Sequence, residues 1–219
     1  MTETPGTSEP TANPRIDRAY TQELLKRQDA LQAEAWRTLA ALALAAALAP
    51  IGPTQVIGSL ATGLMVWRDI DLHVVAPGLS PDVAHGAMAR YFGHPQIGAI
   101  RYWYDHAARH PADDPNDDRY YYALYYQSED GHEWKIDISI WIADPPHVER
   151  LPPANLVARL NDETRLAILW IKDEWFTRPE YRMTVSSVDI YDAVLDHGVR
   201  TPDEFSTYLR DRSPEGAGL

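Results

Sequence analysis

Apolar and polar residues follow two different periods along this chain, and the changes of period divide it into segments. Alternating or short apolar runs that are rich in aromatic and β-branched residues are typical of strands. Apolar residues that recur every three or four positions are typical of helices. On this basis the sequence predicts five strands, at residues 54–58, 69–75, 97–104, 120–126 and 132–142. It predicts helices at residues 17–49, 60–65, 81–91, 154–161, 163–176, 187–196 and 202–212.

The order of these elements indicates how the chain is organised. Strands with an early helical connection come first, and helices alone follow the proline pairs at 145–146 and 152–153. This order predicts an α+β fold, in which a mixed β-sheet core with flanking helices is followed by a C-terminal helical region. The predicted parts are a disordered N-terminal tail at 1–15, a first domain at 16–150, the helical region at 151–212 and a loose tail at 213–219.

Composition and charge narrow the classes of function. The chain has 219 residues, no cysteine and a formal net charge of -12. The absence of thiols excludes disulfides and thiolate metal sites and fits a cytoplasmic protein. The acidic balance favours cationic partners, and nucleic acid is the less favoured partner because its phosphates are repelled. The most apolar run, residues 39–50, is too short to span a bilayer, so no membrane partner is expected. The oligomeric state stays open.

Three aspartates on two predicted strands are the candidate chemical groups. Asp69 and Asp71 are separated by one residue, so both side chains point to one face of a strand while Ile70 and Leu72 enter a core. Asp137 lies on the opposite face from the apolar side chains of its own strand. If the two strands are neighbours, three carboxylates converge. Hard divalent cations with oxygen ligands are the usual means of neutralising such a cluster.

The ordered combination of these residues resembles a known superfamily. Gly58-Ser59, a gap of about ten residues, Asp69-Ile-Asp71 and the later Asp137 are similar to the nucleotidyltransferases of the polymerase-beta type. The resemblance covers residues 50 to 143 and implies that 16–150 is a nucleotidyltransferase catalytic domain. The chain departs from many relatives at residues 64–67, where it is apolar and they carry small or basic residues.

The resemblance implies roles for particular residues. It implies two Mg²⁺ ions, whose ligands are also the catalytic residues Asp69, Asp71 and Asp137. Asp137 then serves as metal ligand, as general base or as both. The turn at Gly58 and Ser59 is expected to hold the triphosphate of ATP or another NTP. Arg68 is the nearest cation, and it either contacts phosphate or forms a structural ion pair.

The reaction that the resemblance implies is metal-dependent transfer of a nucleoside monophosphate, expected to be AMP, from the triphosphate to a hydroxyl of an acceptor. The acidic balance favours a small cationic acceptor, as used by aminoglycoside nucleotidyltransferases. One alternative is an RNA-directed nucleotidyltransferase of the toxin or tRNA-modifying type, which a basic patch would favour. The other is a nucleotide-binding module without catalysis, against which the retention of all three acids argues.

Several further groups have ordinary structural explanations. His73 shares the face of the acids, and a partly buried strand histidine without a chemical role is expected there. His106 and His110 have i, i+4 spacing, but Pro111 ends any helix and a solvated loop is expected. Most tyrosines of the third and fourth strands are expected to pack across the sheet, and some to face outward.

Overall fold

The structure is a computed structural model that describes residues 17–105, 118–143 and 153–212. Its strands are β1 Thr54–Ile57, β2 Asp69–Val75, β3 Ile97–Asp105, β4 Arg119–Gln127 and β5 Glu133–Trp141. Its helices are α1 Arg18–Ala41, α2 Leu44–Leu48, α3 Gly58–Thr62, α4 Pro81–Met88, α5 Pro153–Arg159, α6 Asp162–Trp175, α7 Ser187–Asp196 and α8 Pro202–Arg212, and a 3₁₀ turn, Ala89–Tyr91, follows α4.

The five strands form one mixed sheet with the order β1-β2-β5-β4-β3. β2 and β5 run parallel, and the other neighbouring pairs are antiparallel. The last strand of the chain therefore lies in the middle of the sheet, directly beside β2. This arrangement satisfies the condition for convergence of the acids, because the two strands that carry them are neighbours.

One face of the sheet forms the main core. Alternate side chains of β2, β4 and β5 point to this inner face and pack against buried residues of α1, α2 and α4. The most deeply buried of them on β2 and β5 are Ile70, Leu72, Val74, Trp134, Ile136, Ile138 and Ile140. Full burial of a side chain of this size contributes about 1.5–3 kcal/mol. The opposite face, here called the outer face, carries the acids.

The helices after β5 form a second hydrophobic cluster. Residues of α5, α6, α7 and α8 pack together, and Leu64 and Val66 from the segment before β2 join them. The residue between these two, Met65, belongs to the core of the sheet. The apolar stretch at 64–67, which departs from the family pattern, thus connects the two clusters.

The predicted α+β fold is confirmed, and most element boundaries agree within two residues. The long N-terminal helix differs, because it is broken into α1 and α2 at Ala43, whose φ of 49° is left-handed. The helix after β1 begins at Gly58 rather than Leu60. Within the part of the chain that the structure describes, no helix is long and apolar enough to cross a bilayer.

Several predictions concern residues outside the described ranges. These are the tails at 1–15 and 213–219, the histidine pair His106 and His110, and the boundary at 150. The division into two domains stays a prediction.

Candidate active site

The acids of β2 and β5 meet on the outer face of the sheet. Asp71 lies directly opposite Asp137 in the parallel register, and Asp69 lies opposite Lys135. Burial of Asp71 raises the pKa of its carboxyl to about 7, and the negative charges of Asp69 and Asp137 contribute to the same shift. The three carboxylates are thus close enough to repel one another, as the alternation along the strands predicts.

Two cationic side chains of the protein lie against these acids. The Lys135 ammonium donates to Asp137 and lies 4.0 Å from Asp69. The Arg182 guanidinium donates to Asp69 at 3.0 Å and lies 4.9 Å from the centre of the Trp67 ring. These contacts offset part of the repulsion within the acid cluster. A metal ion on the same carboxylates would compete with both side chains.

The acids nevertheless retain features of a site for a hard cation. Asp69 and Asp137 each have one carboxylate oxygen, Oδ1, that is buried without a hydrogen-bond partner. Oxygens of this kind are the ligands that Mg²⁺ uses. Among the described residues, however, no three acidic, histidine or cysteine side chains are already arranged as a metal site. The donor set fits Mg²⁺ in its chemistry, and binding would require Lys135 and Arg182 to move aside.

The Gly58-Ser59 turn packs directly against Asp71. Gly58 has a φ of 62°, in the left-handed region that favours glycine. A β-carbon at this position would lie 2.3 Å from Oδ2 of Asp71. The backbone therefore approaches the acid more closely than any other residue type would permit, and the predicted neighbourhood of the turn and the acids is present.

A buried lysine that the sequence analysis missed completes this side of the site. Lys172 on α6 donates from Nζ to Ser59 Oγ at 2.6 Å and to the Leu64 carbonyl at 2.7 Å. Burial lowers the pKa of Lys172 to about 7, although the charges of Asp69 and Asp71 oppose the shift. The amino group therefore lies beside the hydroxyl that is expected to contact triphosphate.

Arg68 and His73 lie at the margins of the site. Arg68 donates from Nε and Nη2 to the carboxylate of Glu34 on α1, at 3.2 and 3.1 Å. Of the two roles considered for Arg68, phosphate contact and a structural ion pair, the structure shows the ion pair. Contact with phosphate would require this pair to open. His73 is partly buried beside Trp141, and burial lowers its pKa to about 4. A neutral imidazole at physiological pH agrees with the structural role expected for it.

A scan against protein-family models and a search of the curated proteins both find no match. Solved structures do match. A mutant of Cid1 poly(U) polymerase bound to MgATP is 16% identical, with a TM-score of 0.55, over 81% of this chain and 55% of that chain. The fold is that of the polymerase-beta-type nucleotidyltransferases. The resemblance seen in the sequence is thereby confirmed at the level of the fold.

Two further structures of Cid1 poly(U) polymerase agree with this match. The MgGTP-bound structure is 16% identical, with a TM-score of 0.53, over 81% of this chain and 55% of that chain. The structure with Mg 3′-dATP is 17% identical, with a TM-score of 0.51, over 81% and 54%. The chain spans about half the length of these solved structures.

Lys172 and Arg182 carried different signals in the sequence. Lys172 directly follows the apolar run 166–171 of a predicted helix, and a charged residue on a buried stripe of a helix signals a buried partner. Arg182 lies in an irregular segment with no periodicity, and its left-handed φ of 70° has no sequence signature for an arginine. The first could have been found from the sequence, and the second could not.

Proposed function

We propose that this protein is a metal-dependent nucleotidyltransferase that uses an NTP and RNA. One observation carries the proposal: Asp71 lies opposite Asp137 on neighbouring parallel strands, with the Gly58 turn against Asp71. A turn that phosphate could approach closely thus lies beside a pair of acids from different strands, which supports the proposal. The fold shared with a poly(U) polymerase supports the choice of RNA as acceptor.

The proposed reaction is an in-line displacement at the α-phosphorus. The acceptor hydroxyl oxygen forms a bond to the α-phosphorus, the bond from that phosphorus to the bridging oxygen breaks, and pyrophosphate leaves. Asp137 takes the proton of the attacking hydroxyl, because it lies on the strand further from the phosphate turn. Bound Mg²⁺ ions, held by Asp69, Asp71 and Asp137, would stabilise the charge on the attacking and leaving oxygens.

The cations of the site have roles toward the triphosphate. Lys172 and Ser59 together present an ammonium and a hydroxyl beside the Gly58 turn, where they can donate to phosphate oxygens. Arg182 can transfer its hydrogen bond from Asp69 to phosphate once the carboxylate is occupied by a cation. These contacts would hold the triphosphate beside the Gly58 turn, once Lys135 and Arg182 have moved aside from the carboxylates.

The first test is transfer activity of acid variants. Asp137→Asn and Asp71→Asn keep the shape of the side chain and remove its charge. We expect each to lower transfer of labelled nucleotide onto an RNA oligonucleotide by about 100- to 1,000-fold, because charge stabilisation in the transition state is lost. Asp130→Asn, at an exposed acid in the turn between β4 and β5, is the matched control and should retain full activity.

The fold of these variants is checked by thermal unfolding in EDTA. Asp71→Asn should unfold at or above the temperature of the wild type, because the repulsion within the acid cluster is relieved. A folded Asp71→Asn variant with wild-type transfer activity would contradict the site assignment.

A small cationic acceptor is the second candidate, and the formal net charge of -12 favours it. The same assay decides between the two acceptors when a panel of aminoglycosides and polyamines is included with ATP and Mg²⁺. We expect lengthened RNA, seen by mass analysis. AMP linked to an aminosugar, with RNA left unchanged, would instead support the small acceptor.

A further inference from the structure

The outer face of the sheet continues from the acids of β2 and β5 onto β4 and β3, where its side chains are aromatic and cationic instead of acidic. Asp137 lies opposite Ala123 on β4, and Ala123 lies opposite Arg101 on β3. Two positions along the strand, Tyr121 lies opposite Trp103. These side chains share one face because the period of a strand is two residues. The aromatic platform is defined here as Arg101, Trp103, Arg119, Tyr121 and Tyr125.

We propose that the aromatic platform binds the single-stranded end of a nucleic-acid acceptor, so that its terminal hydroxyl lies at Asp137. The inference rests on the proposed function and adds the surface that holds the acceptor. It also names the form of nucleic acid: a single strand, whose bases are free to stack on side chains.

The rings and guanidinium groups of the platform already lie close to one another. The Trp103 and Tyr121 ring centres are 5.2 Å apart. The guanidinium carbon of Arg119 lies 5.3 Å from the centre of the Tyr121 ring, and that of Arg101 lies 5.2 Å from the Tyr125 ring. Trp103 is 44% exposed. An exposed tryptophan beside a tyrosine of the neighbouring strand offers a ring face on which a base can stack.

The platform is continuous with the reaction centre. Tyr121 lies opposite Ser139 on β5, two positions along the strand from the pair formed by Ala123 and Asp137. Tyr121 is therefore next to the Ala123–Asp137 pair on the outer face, and on its other side it lies opposite Trp103. Two strand spacings of about 4.8 Å separate β5 from β3, so the platform extends about 10 Å from the acid strand. A base stacked on Trp103 and a hydroxyl at Asp137 can belong to neighbouring nucleotides.

The platform itself carries two arginines although the whole chain is acidic. Arg101 and Arg119 lie on the platform, and Lys135 lies between it and Asp69. Arg119 also donates to Ser139 Oγ at 3.3 Å, which fixes its guanidinium group on this face. Phosphates at the end of a single-stranded nucleic acid are attracted to these side chains, whereas a small cation would be repelled by them. The platform thus favours a nucleic acid over a polyamine or aminosugar.

The test measures binding without catalysis. Fluorescence anisotropy of a labelled single-stranded RNA oligonucleotide is followed in EDTA, without NTP, for the wild type and for Trp103→Ala. We expect Trp103→Ala to weaken binding about 5- to 150-fold, the range for loss of one base-stacking ring. Trp36→Ala on α1 is the matched control, because Trp36 is 48% exposed and lies on a helix away from the platform. It should bind like the wild type.

The salt dependence tests the arginines separately. Arg101→Ala should lower the slope of log affinity against log salt by about 0.7, the value for one phosphate contact on a single strand. Arg90→Ala is its control, since Arg90 also lies over a tyrosine ring, at 5.7 Å, but outside the platform. Equal binding by the wild type and Trp103→Ala would overturn the proposal, and so would equal affinity for blunt duplex RNA.

Failure of the platform and failure of the proposed function give different results. If Trp103→Ala loses RNA binding but the wild type transfers no nucleotide to RNA, the platform stands and the proposed reaction falls. If the wild type transfers nucleotide to RNA and Trp103→Ala does so with an unchanged KM for RNA, the reaction stands and the platform falls. Tyr121→Phe keeps the ring and should retain binding, which separates stacking from misfolding.

Discussion

Gly58 lies where a β-carbon would collide with the Asp71 carboxylate. Its left-handed φ of 62° adds a backbone cost to any substitution, about 1–2 kcal/mol. The contact, at 2.3 Å from the ideal β-carbon, adds a displacement of the acid itself. The two effects can be separated, because stability responds to both and catalysis responds mainly to the displacement.

Gly58→Ala should therefore lower nucleotide transfer by about 100-fold, the cost of shifting a reacting group by about 1 Å. Gly78→Ala is the matched control: Gly78 also has a left-handed φ, 71°, but nothing lies within 4 Å of its ideal β-carbon. Both variants should lose free energy of unfolding in urea, and only the first should lose activity. Similar activity in the two would remove the Gly58 turn from the site.

The residues of the site differ in how far the sequence could reveal them. Asp69 and Asp71 could be placed because alternation along a strand is a local property of the backbone. The pairing of Asp71 with Asp137 depended on a strand order that only the complete sheet fixes. Arg68 shows the limit of such reasoning, because its partner Glu34 comes from a distant helix and no local pattern specifies it.

At the scale of elements, Glu34 connects helix α1 to two strands. Its carboxylate accepts from Arg68, just before β2, and from Trp134 Nε1 on β5 at 2.8 Å. Burial opposes ionisation of Glu34, but the hydrogen bonds from Arg68 and Trp134 prevail and lower its pKa. One side chain of the helix thus fixes the position of the two strands that carry the acids.

Glu34→Gln should lower the free energy of unfolding by about 1.5–3 kcal/mol at neutral pH, the contribution of hydrogen bonds to a charged group. Since the folded pKa lies below the unfolded value of 4.5, the stabilisation is present above pH 4.5 and is lost as the pH falls through the folded pKa. Urea unfolding at several pH values checks this, with the exposed Glu23→Gln as control. A difference that persists unchanged in acid would contradict the ion pair.

At the scale of the whole molecule, Lys172 lies between the two hydrophobic clusters. Its helix, α6, belongs to the helical cluster, while its amino group bonds to the turn that precedes the acid strand. The helices and strands of both parts followed from sequence periodicity. The contact between the two parts did not follow from periodicity. It depends on a lysine at the end of an apolar run and on the segment at 64–67, which is buried in both clusters and so matches neither a helix nor a strand pattern.

Because of the buried lysine, the free energy of unfolding of the whole protein should rise as the pH becomes more alkaline. The pKa of Lys172 is about 7 in the folded state, against 10.5 for a lysine in water, so the unfolded chain binds more protons between these values. Stability therefore rises with pH in this window, by up to about 1.4 kcal/mol per pH unit. Lys172→Met should remove this slope relative to the wild type, and Lys26→Met, at an exposed lysine of α1, should leave it. Parallel curves of unfolding free energy against pH for the wild type and Lys172→Met would contradict the burial.

The position of β5 has a consequence for folding during synthesis. A ribosome makes β1 through β4 before the strand that lies between β2 and β4 exists. Until β5 inserts, two separate strand pairs expose open edges, and such edges invite pairing with other chains. A nascent or prematurely ended chain thus has Asp71 without Asp137, and its open strand edges are prone to aggregation. Insertion of β5 therefore completes the sheet and the candidate active site in the same step.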